Sequence, residues 1–431
     1  MPQQSVPHTS LERHSRSPLL ILIPALLWIG ITFTACAEKK APPLDPAELF
    51  ENVEGVLAAD YYFEEGQGWN LAELYGKAQA SLGHAGGGKT REALAATLAA
   101  APEDERRRQT YTALGAFLEA LPAGYNTFTR AESLLWSRDP ERTAGVGLVL
   151  RMVGPGRFLA MDTLEGSASY RASMEPGNYL AEIDGQSTKD MDLEEVVGRI
   201  RGPAETEVVL KYESGKSFTL QRGEVSFRNI LNAEWSLPGG KRAEYIMLRS
   251  SLADTVGQIR GLLARLGQRQ TLILDLRRMH HGNYENCFGV ANLFVDSGRL
   301  GGVRFRGREP VDFIADSEKI FKGSLYVVLG ENASPFAETL AAALSVAPNV
   351  TLIGKAGEGR AFVSSVTPIS GGVEVTLTGG LVLGPDDKPL YTAGVPVEAT
   401  VAAPLPRNPP LTTVDRDDPV QVYLAQKLGM Q

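Results

Sequence analysis

Ser334 is the residue whose surroundings suit nucleophilic chemistry. It stands in Gly330-Glu-Asn-Ala-Ser-Pro-Phe-Ala-Glu338, between the apolar run Ser324-Leu-Tyr-Val-Val-Leu329 and a stretch from Pro335 to Val346 with apolar and small residues on every side. The run reads as a buried strand and the stretch as a buried helix. A strand that feeds a helix through Asn-Ala-Ser places the serine at the helix N-terminus. There the unpaired N–H groups and the dipole favour developing negative charge. A serine so placed is an N-cap or an attacking hydroxyl, and the local sequence serves both. A second stretch, Gly83-His-Ala-Gly-Gly-Gly-Lys-Thr90, has the spelling of a phosphate-binding loop. Such a loop needs a buried strand leading into it, and the residues before Gly83 read as helix, so a helix–helix connection is expected.

The elements that must position Ser334 lie around it. Thr271-Leu-Ile-Leu-Asp-Leu-Arg277 and Val350-Thr-Leu-Ile-Gly-Lys-Ala-Gly-Glu358 read as two further buried strands, each ending in charge or glycine. Upstream, Ala47–Tyr62, Leu71–Leu82, Arg91–Ala100 and Glu103–Leu121 carry Ala, Leu and Glu at helical spacing and predict four helices. At 431 residues the chain holds two to three domains. Its net charge of -8, with no basic stripe carrying interleaved aromatics, argues against a nucleic-acid partner. Two cysteines cannot build a disulfide framework. Pro419–Leu428 predicts one short terminal helix after the Pro-rich stretch 401–410.

The N-terminus reads as an address. Arg13 and Arg16 precede the apolar run Leu19–Phe33, which is short for a membrane-spanning helix. Thr34-Ala-Cys36 and polar residues follow, the pattern of a secretory signal. Phe33-Thr-Ala-Cys36 resembles the bacterial lipobox, with Phe where Leu is usual. The resemblance implies that Cys36 becomes the lipid-carrying N-terminus, leaving Cys287 as the one thiol of the mature chain. Ala37 after the cysteine resembles lipoproteins sent on to the outer membrane.

Residues 141–225 order a Gly-rich turn and strand (Thr143–Leu150), the strand and turn Tyr179-Leu-Ala-Glu-Ile-Asp-Gly185, an amphipathic helix from Asp192 to Ile200 broken at Arg201-Gly-Pro203, and a hairpin, Glu207–Tyr212 with Ser217–Arg222. This order resembles a PDZ domain. The resemblance implies that Gly145, Val146, Gly147 and Leu148 form the carboxylate-binding loop, where successive N–H groups hold a peptide C-terminus and the adjacent strand edge pairs with it.

A PDZ domain ahead of Leu274-Asp-Leu-Arg277 and Asn332-Ala-Ser334 resembles the C-terminal processing (tail-specific) serine peptidases. Tyr125-Asn-Thr-Phe-Thr129, Ile183-Asp-Gly-Gln-Ser-Thr188, Ile200-Arg-Gly-Pro203, Leu352-Ile-Gly354 and Leu381–Pro396 add to the likeness. The family implies a serine–lysine dyad: the serine attacks a peptide carbonyl, a neutral lysine takes its proton, and backbone N–H groups hold the oxyanion. Ser334 falls on the nucleophile, one residue further from Glu338 than is usual, so an insertion in the turn is expected. The lysine position falls on Arg360, and a guanidinium cannot act as the base near neutral pH. The glutamine four residues on falls on Ser364. The oxyanion loop Asn-Pro-Gly-Gly is replaced near Met279-His-His-Gly282, which leaves Gly282 alone. Lys355, or His280 and His281, are the alternative bases toward Ser334.

The expected architecture is α/β and multidomain: a crotonase-like spiral peptidase core with an inserted PDZ β-domain and a helical N-terminal segment. The boundaries are a lipoprotein signal at 1–35, the helical segment at 37–140, the PDZ domain at 141–225, the peptidase core at 226–405 and a tail at 406–431. The expected partners are proteins with exposed C-termini, and a membrane reached through the lipid anchor of a bacterial envelope lipoprotein facing the periplasm. No nucleotide, metal or other cofactor is expected. Two activities fit: an endopeptidase that cuts with Ser334, or a pseudopeptidase that captures C-termini or partner peptidases as a binding or adaptor protein and cuts nothing. An amine or imidazole on the Ser334 hydroxyl marks the first, and a guanidinium paired to a carboxylate such as Glu358 marks the second.

Overall fold

The computed structural model describes residues 41–431 except 65, 123, 125, 138–143, 155, 226–227, 253, 267–269, 317–318, 332, 392–393, 407–411 and 431. The leader with Cys36, and with it Tyr125 and Asn332, lie outside the described residues. Helices α1 (Pro46–Asp60), α2 (Leu71–Ser81), α3 (Arg91–Ala99) and α4 (Glu103–Glu119) occupy the four expected stretches. Asp45, Asn70 and Thr90 start the first three by accepting first-turn N–H groups on their side chains. The glycine-rich loop 83–90 joins α2 to α3 with no strand leading in. The Thr90 hydroxyl is spent on the Ala93 N–H at 3.3 Å. Two short elements follow, β1 (Thr127–Thr129) and α5 (Ala131–Ser137). β1 corrects the picture of a purely helical segment, because it pairs antiparallel with the distant strand Glu374–Leu383. That strand brings Val375 and Leu377 to close a core of Leu49, Phe50, Leu114 and Phe117. Three residues carry too little period for a strand to be read locally.

A β-rich module comes next: β2 (Leu148–Gly154), β3 (Arg157–Thr163), α6 (Ala168–Arg171), β4 (Tyr179–Ile183), β5 (Gln186–Ser187), α7 (Leu193–Ile200), β6 (Glu207–Tyr212) and β7 (Ser217–Gln221). Its antiparallel sheet runs β2-β3-β4-β6-β7, which leaves β2 on an edge. Val208, Leu210 and Tyr212 of β6 alternate inward onto Phe158, Leu180, Val196 and Ile200. Asp184 and Gly185, at φ 50° and 78°, make the tight turn from β4 to β5. Asp192 caps α7 by accepting the Glu195 N–H at 2.9 Å. The same carboxylate takes Ser133 Oγ at 2.7 Å and Arg130 Nε at 3.0 Å, so one residue starts the helix and ties it to α5.

The remaining elements are β8 (Ile230–Ser236), β9 (Arg242–Leu248), β10 (Ser250–Ser251), α8 (Thr255–Arg265), β11 (Thr271–Asp275), β12 (His281–Gly282), α9 (Tyr284–Asn292), β13 (Gly298–Phe305), β14 (Val311–Ala315), β15 (Ser324–Leu329), α10 (Pro335–Leu344), β16 (Val350–Gly354), β17 (Phe362–Pro368), β18 (Glu374–Leu383), β19 (Ala399–Thr400) and α11 (Pro419–Lys427). A sheet ordered β19-β16-β15-β11-β9-β8 is parallel except at β8. Both faces are covered, which is why its strands read as continuous apolar runs. Leu272 and Leu274 face α8, α9 and α10, while Ile273 between them faces Val420 and Leu424 of α11.

Candidate active site

Ser334 is the N-cap of α10, at the mouth of β15 in the middle of the parallel sheet. The side chain is nearly buried, at 5% exposure. Among the described residues its Oγ makes one hydrogen bond, accepting the Ala337 N–H at 3.2 Å. No side chain there accepts the hydroxyl proton. The expected insertion leaves no bulge, since Glu338 N–H donates to the Ser334 carbonyl at 3.0 Å as an ordinary helical turn requires. Pro335 follows directly. In many serine hydrolases the residue after the nucleophile lends its N–H to the oxyanion, and proline has none to lend. This departure was visible in the sequence and passed over, because Pro at the first helical position reads simply as a good helix start.

Glu338 is fully buried on the next turn of the same helix. Its carboxylate accepts three successive backbone N–H groups, from Glu358 at 2.7 Å and from Gly359 and Arg360 at 3.1 Å each. Burial pushes its carboxyl pKa above the ordinary value, while these three donors and the nearby Arg360 charge pull it back. The loop from Lys355 to Arg360 therefore runs over the first turn of α10. Lys355 is exposed, with no bond to Ser334. The Arg360 guanidinium is paired to the Glu358 carboxylate, both partly exposed. Ser364, the residue expected at the family's glutamine position, is exposed on β17 beside a register shift.

The loop after β11 approaches from another side. His280 N–H donates to Arg249 C=O at 3.0 Å and Asn283 N–H to Ser251 C=O at 3.3 Å, on either side of the parallel pairing of β10 with β12. Those two N–H groups are committed to backbone carbonyls and are not offered to an oxyanion. A Cβ on Gly282 would fall 1.9 Å from Ser251 Oγ, so glycine is required there by close packing. The His280 residue keeps some surface, but its Nε2 is buried without a hydrogen bond. Burial, with His281, Arg278, Arg151 and Arg249 adding to it, holds its pKa well below the usual 6.5. His281 is exposed, and partial burial of its ring lowers its pKa also. Neither imidazole is bonded to Ser334. Cys287 is buried 3.2 Å from Ser251 Oγ, and burial pushes its thiol up to about 12, far from a reactive thiolate.

In the β-module, Gly145 exchanges both backbone hydrogen bonds with Gly223, so its N–H is committed. Among the described residues the N–H groups of Val146 and Gly147 have no acceptor, while their carbonyls take Ser169 and Leu164 N–H. Gly147 has φ 74°, and a Cβ there would lie 2.2 Å from that of Ser167, so the turn demands glycine. Leu148 opens the edge strand β2. Arg151 further along β2 lies within electrostatic reach of Glu358 and Arg360, which brings this edge to the loop over α10.

Three buried arginines fix the frame; Arg277 closes the Leu274-Asp-Leu-Arg277 motif, while Arg278 and Arg249 were not singled out in the sequence. Arg277 grips Asp418 with two bonds of 2.9 and 2.7 Å and Asp275 at 2.7 Å. Tyr245 donates to the same Asp275 at 2.6 Å. Arg278 pairs with Asp162 of β3 at 2.5 Å, and Arg249 lies 3.4 Å from the same carboxylate, which joins the module to the core.

Comparison with known proteins gives one consistent answer. The sequence profile of peptidase family S41 matches residues 243–401. The chain is 26% identical over 310 residues to the carboxyl-terminal-processing protease of Synechocystis sp., covering 69% of this chain and 72% of that protein. It is 25% identical over 269 residues to the carboxy-terminal processing protease CtpA of Bacillus subtilis, covering 61% of this chain and 56% of that protein. The chain thus spans little more than half the length of the second relative. Among solved structures the photosystem II D1 C-terminal processing protease superposes with a TM-score of 0.62 at 21% identity, over 85% of this chain and 96% of that one. That likeness establishes the mixed α/β fold of the C-terminal processing proteases.

Proposed function

We propose, for a chain whose residues 243–401 belong to peptidase family S41, that it takes hold of protein C-termini on its β-module and presents them to Ser334, with hydrolysis held back at the base position. The observation that carries this reading is the pairing of Arg360 with Glu358 while, among the described residues, the Ser334 hydroxyl proton has no acceptor. Guanidinium remains charged at any ordinary pH, so it neutralises nearby carboxylates but takes no proton. Two features of the module among the described residues support capture: a loop whose Val146 and Gly147 N–H groups have no acceptor, and the edge position of β2 next to it. In this reading residues 141–225 are a PDZ domain inserted between a helical N-terminal segment and a crotonase-like core of residues 226–405. Cys36 carries the lipid that holds the protein at the bacterial envelope.

A second reading has its own support. Ser334 retains its hydroxyl at the N-terminus of a buried helix, and Lys355 is exposed on the loop that crosses it. Here the protein is a working C-terminal processing peptidase, and Lys355 closes on Ser334 once a peptide is bound.

Cleavage of a loosely folded protein by the soluble chain starting at Ala37 separates the two, with the parent compared with Ser334→Ala and Arg360→Lys. The proposal expects little or no cleavage by the parent and a gain of about 10²-fold or more in Arg360→Lys, in the range that a positioned base contributes. Cleavage by the parent that disappears in Ser334→Ala overturns it in favour of the second reading. Inactivity of all three retains capture alone, which is then measured as binding of C-terminal peptides with a free carboxylate against their amides.

A further inference from the structure

The three N–H groups gathered by Glu338 are more than the packing of one buried acid. The first-turn N–H of α10 that needs a side-chain partner is already met by Ser334 Oγ, so the Glu338 carboxylate is not spent on its own helix. It reaches instead across to a loop 20 to 22 residues further along. The loop is shaped to receive it. A Cβ on Gly357 would stand 2.9 Å from the Glu338 carboxyl carbon, so the backbone passes as close as glycine allows. Gly359 has φ 72°, a conformation that turns successive N–H groups toward one anion. The side chains of the loop do not hold it down, since Lys355 is exposed and Arg360 and Glu358 pair with each other near the surface.

We propose that Glu338 is the positioning residue of this site: carried four residues after Ser334 on one helical turn, its carboxylate fixes the backbone at 358–360 and so sets where the side chain of residue 360 stands relative to the Ser334 hydroxyl. The proposal rests on the reading of Ser334 as the nucleophile position. Both halves of the prospective dyad are then referred to a single rigid turn of α10. An ångström of error at position 360 is enough to cost a proton transfer, and a loop tethered only by solvent-exposed side chains does not hold that tolerance. Glu338 touches no reacting atom and acts through the loop.

The test uses the full soluble chain in two backgrounds, parent and Arg360→Lys. Glu338→Gln keeps the shape but replaces one acceptor oxygen by an NH2 that faces the loop donors. Amide hydrogen exchange in peptides spanning 355–363 is expected to quicken at least tenfold in both backgrounds, with exchange in the β-module unchanged. In Arg360→Lys the same substitution is expected to lower kcat at least tenfold with KM changed less than twofold. Arg360→Lys/Glu338→Asp, whose shorter carboxylate keeps the charge, is expected to recover part of kcat. If Glu338→Gln fails to fold, Gly357→Ala tests the same contact from the loop side and is expected to quicken the same amides. Unchanged exchange at 355–363 in whichever of these two variants folds overturns the clamp, as does a loss confined to KM. If Arg360→Lys cleaves nothing, the reading of Ser334 falls, and the exchange result by itself decides whether Glu338 holds the loop.

Discussion

At the scale of single residues the site is defined by where protons can go. Among the described residues the Ser334 hydroxyl has no acceptor, Arg360 is a cation that cannot let its proton go, and Pro335 has no N–H at all. His280 gives this a measurable handle. Its folded pKa is depressed, so near pH 6.5 the unfolded chain takes up a proton that the folded chain refuses. The stability that follows from keeping it neutral is fully present above 6.5 and is lost as pH falls from there toward the depressed folded value. The urea midpoint of the parent is expected to decline between pH 7.5 and 5.5, and His280→Gln to flatten that decline. An equal slope in both proteins rejects the assignment.

At the scale of elements, the frame depends on a helix that the sequence presents as an appendix. Asp418 caps α11, accepting the Val420 N–H at 3.0 Å, and at the same time neutralises Arg277 at the end of β11. Removing one partner of a buried ion pair strands the other charge, so Asp418→Ala is expected to cost about 3–5 kcal/mol in urea unfolding. A cost below about 1 kcal/mol shows that Asp275 and Tyr245 suffice for Arg277. The strands and helices around Ser334 were legible in advance because they are long apolar runs with clear stops, and Pro335–Leu344 and Val350–Gly354 fall where periodicity puts them. The four N-terminal helices were legible for the same reason, with Asp45, Asn70 and Thr90 as caps. β1 was not, since its reason for being a strand is a partner some 250 residues away. The Glu338 clamp and the Asp162–Arg278 joint were hidden likewise: a glutamate in a helix and an arginine after a strand carry no mark of the partner that three-dimensional folding brings to them. The expectation of a replaced lysine at Arg360 and a thinned glycine loop at Gly282 comes from a family spelling, and spelling is local.

At the scale of the whole molecule the question is how the β-module is joined to the core. Asp162 of β3 meets Arg278 and Arg249, both 2% exposed, and Glu165 meets Arg228 at 2.7 Å. Burial raises the Asp162 pKa against the pull of those two arginines, as expected for an acid retained only by its partners. Asp162→Asn leaves two buried guanidinium groups short of a counter-charge, with an expected cost of about 3–5 kcal/mol. Because the joint lies between two separate cores, the loss is expected to appear as two unfolding transitions in calorimetry where the parent shows one; a single lowered transition shows that the module does not melt apart from the core. The Arg277–Asp418 pair has a different consequence, in time rather than in space. The two residues are 141 positions apart. A ribosome delivers the arginine long before the aspartate, so during synthesis the guanidinium has Asp275 beside it but not yet its second carboxylate. The β-module, whose core is its own, can settle as it emerges, but the central sheet gains this partner for Arg277 only once Asp418 has been made. A chain stopped before Asp418 therefore leaves Arg277 with one carboxylate of its two, at a strand in the middle of the sheet.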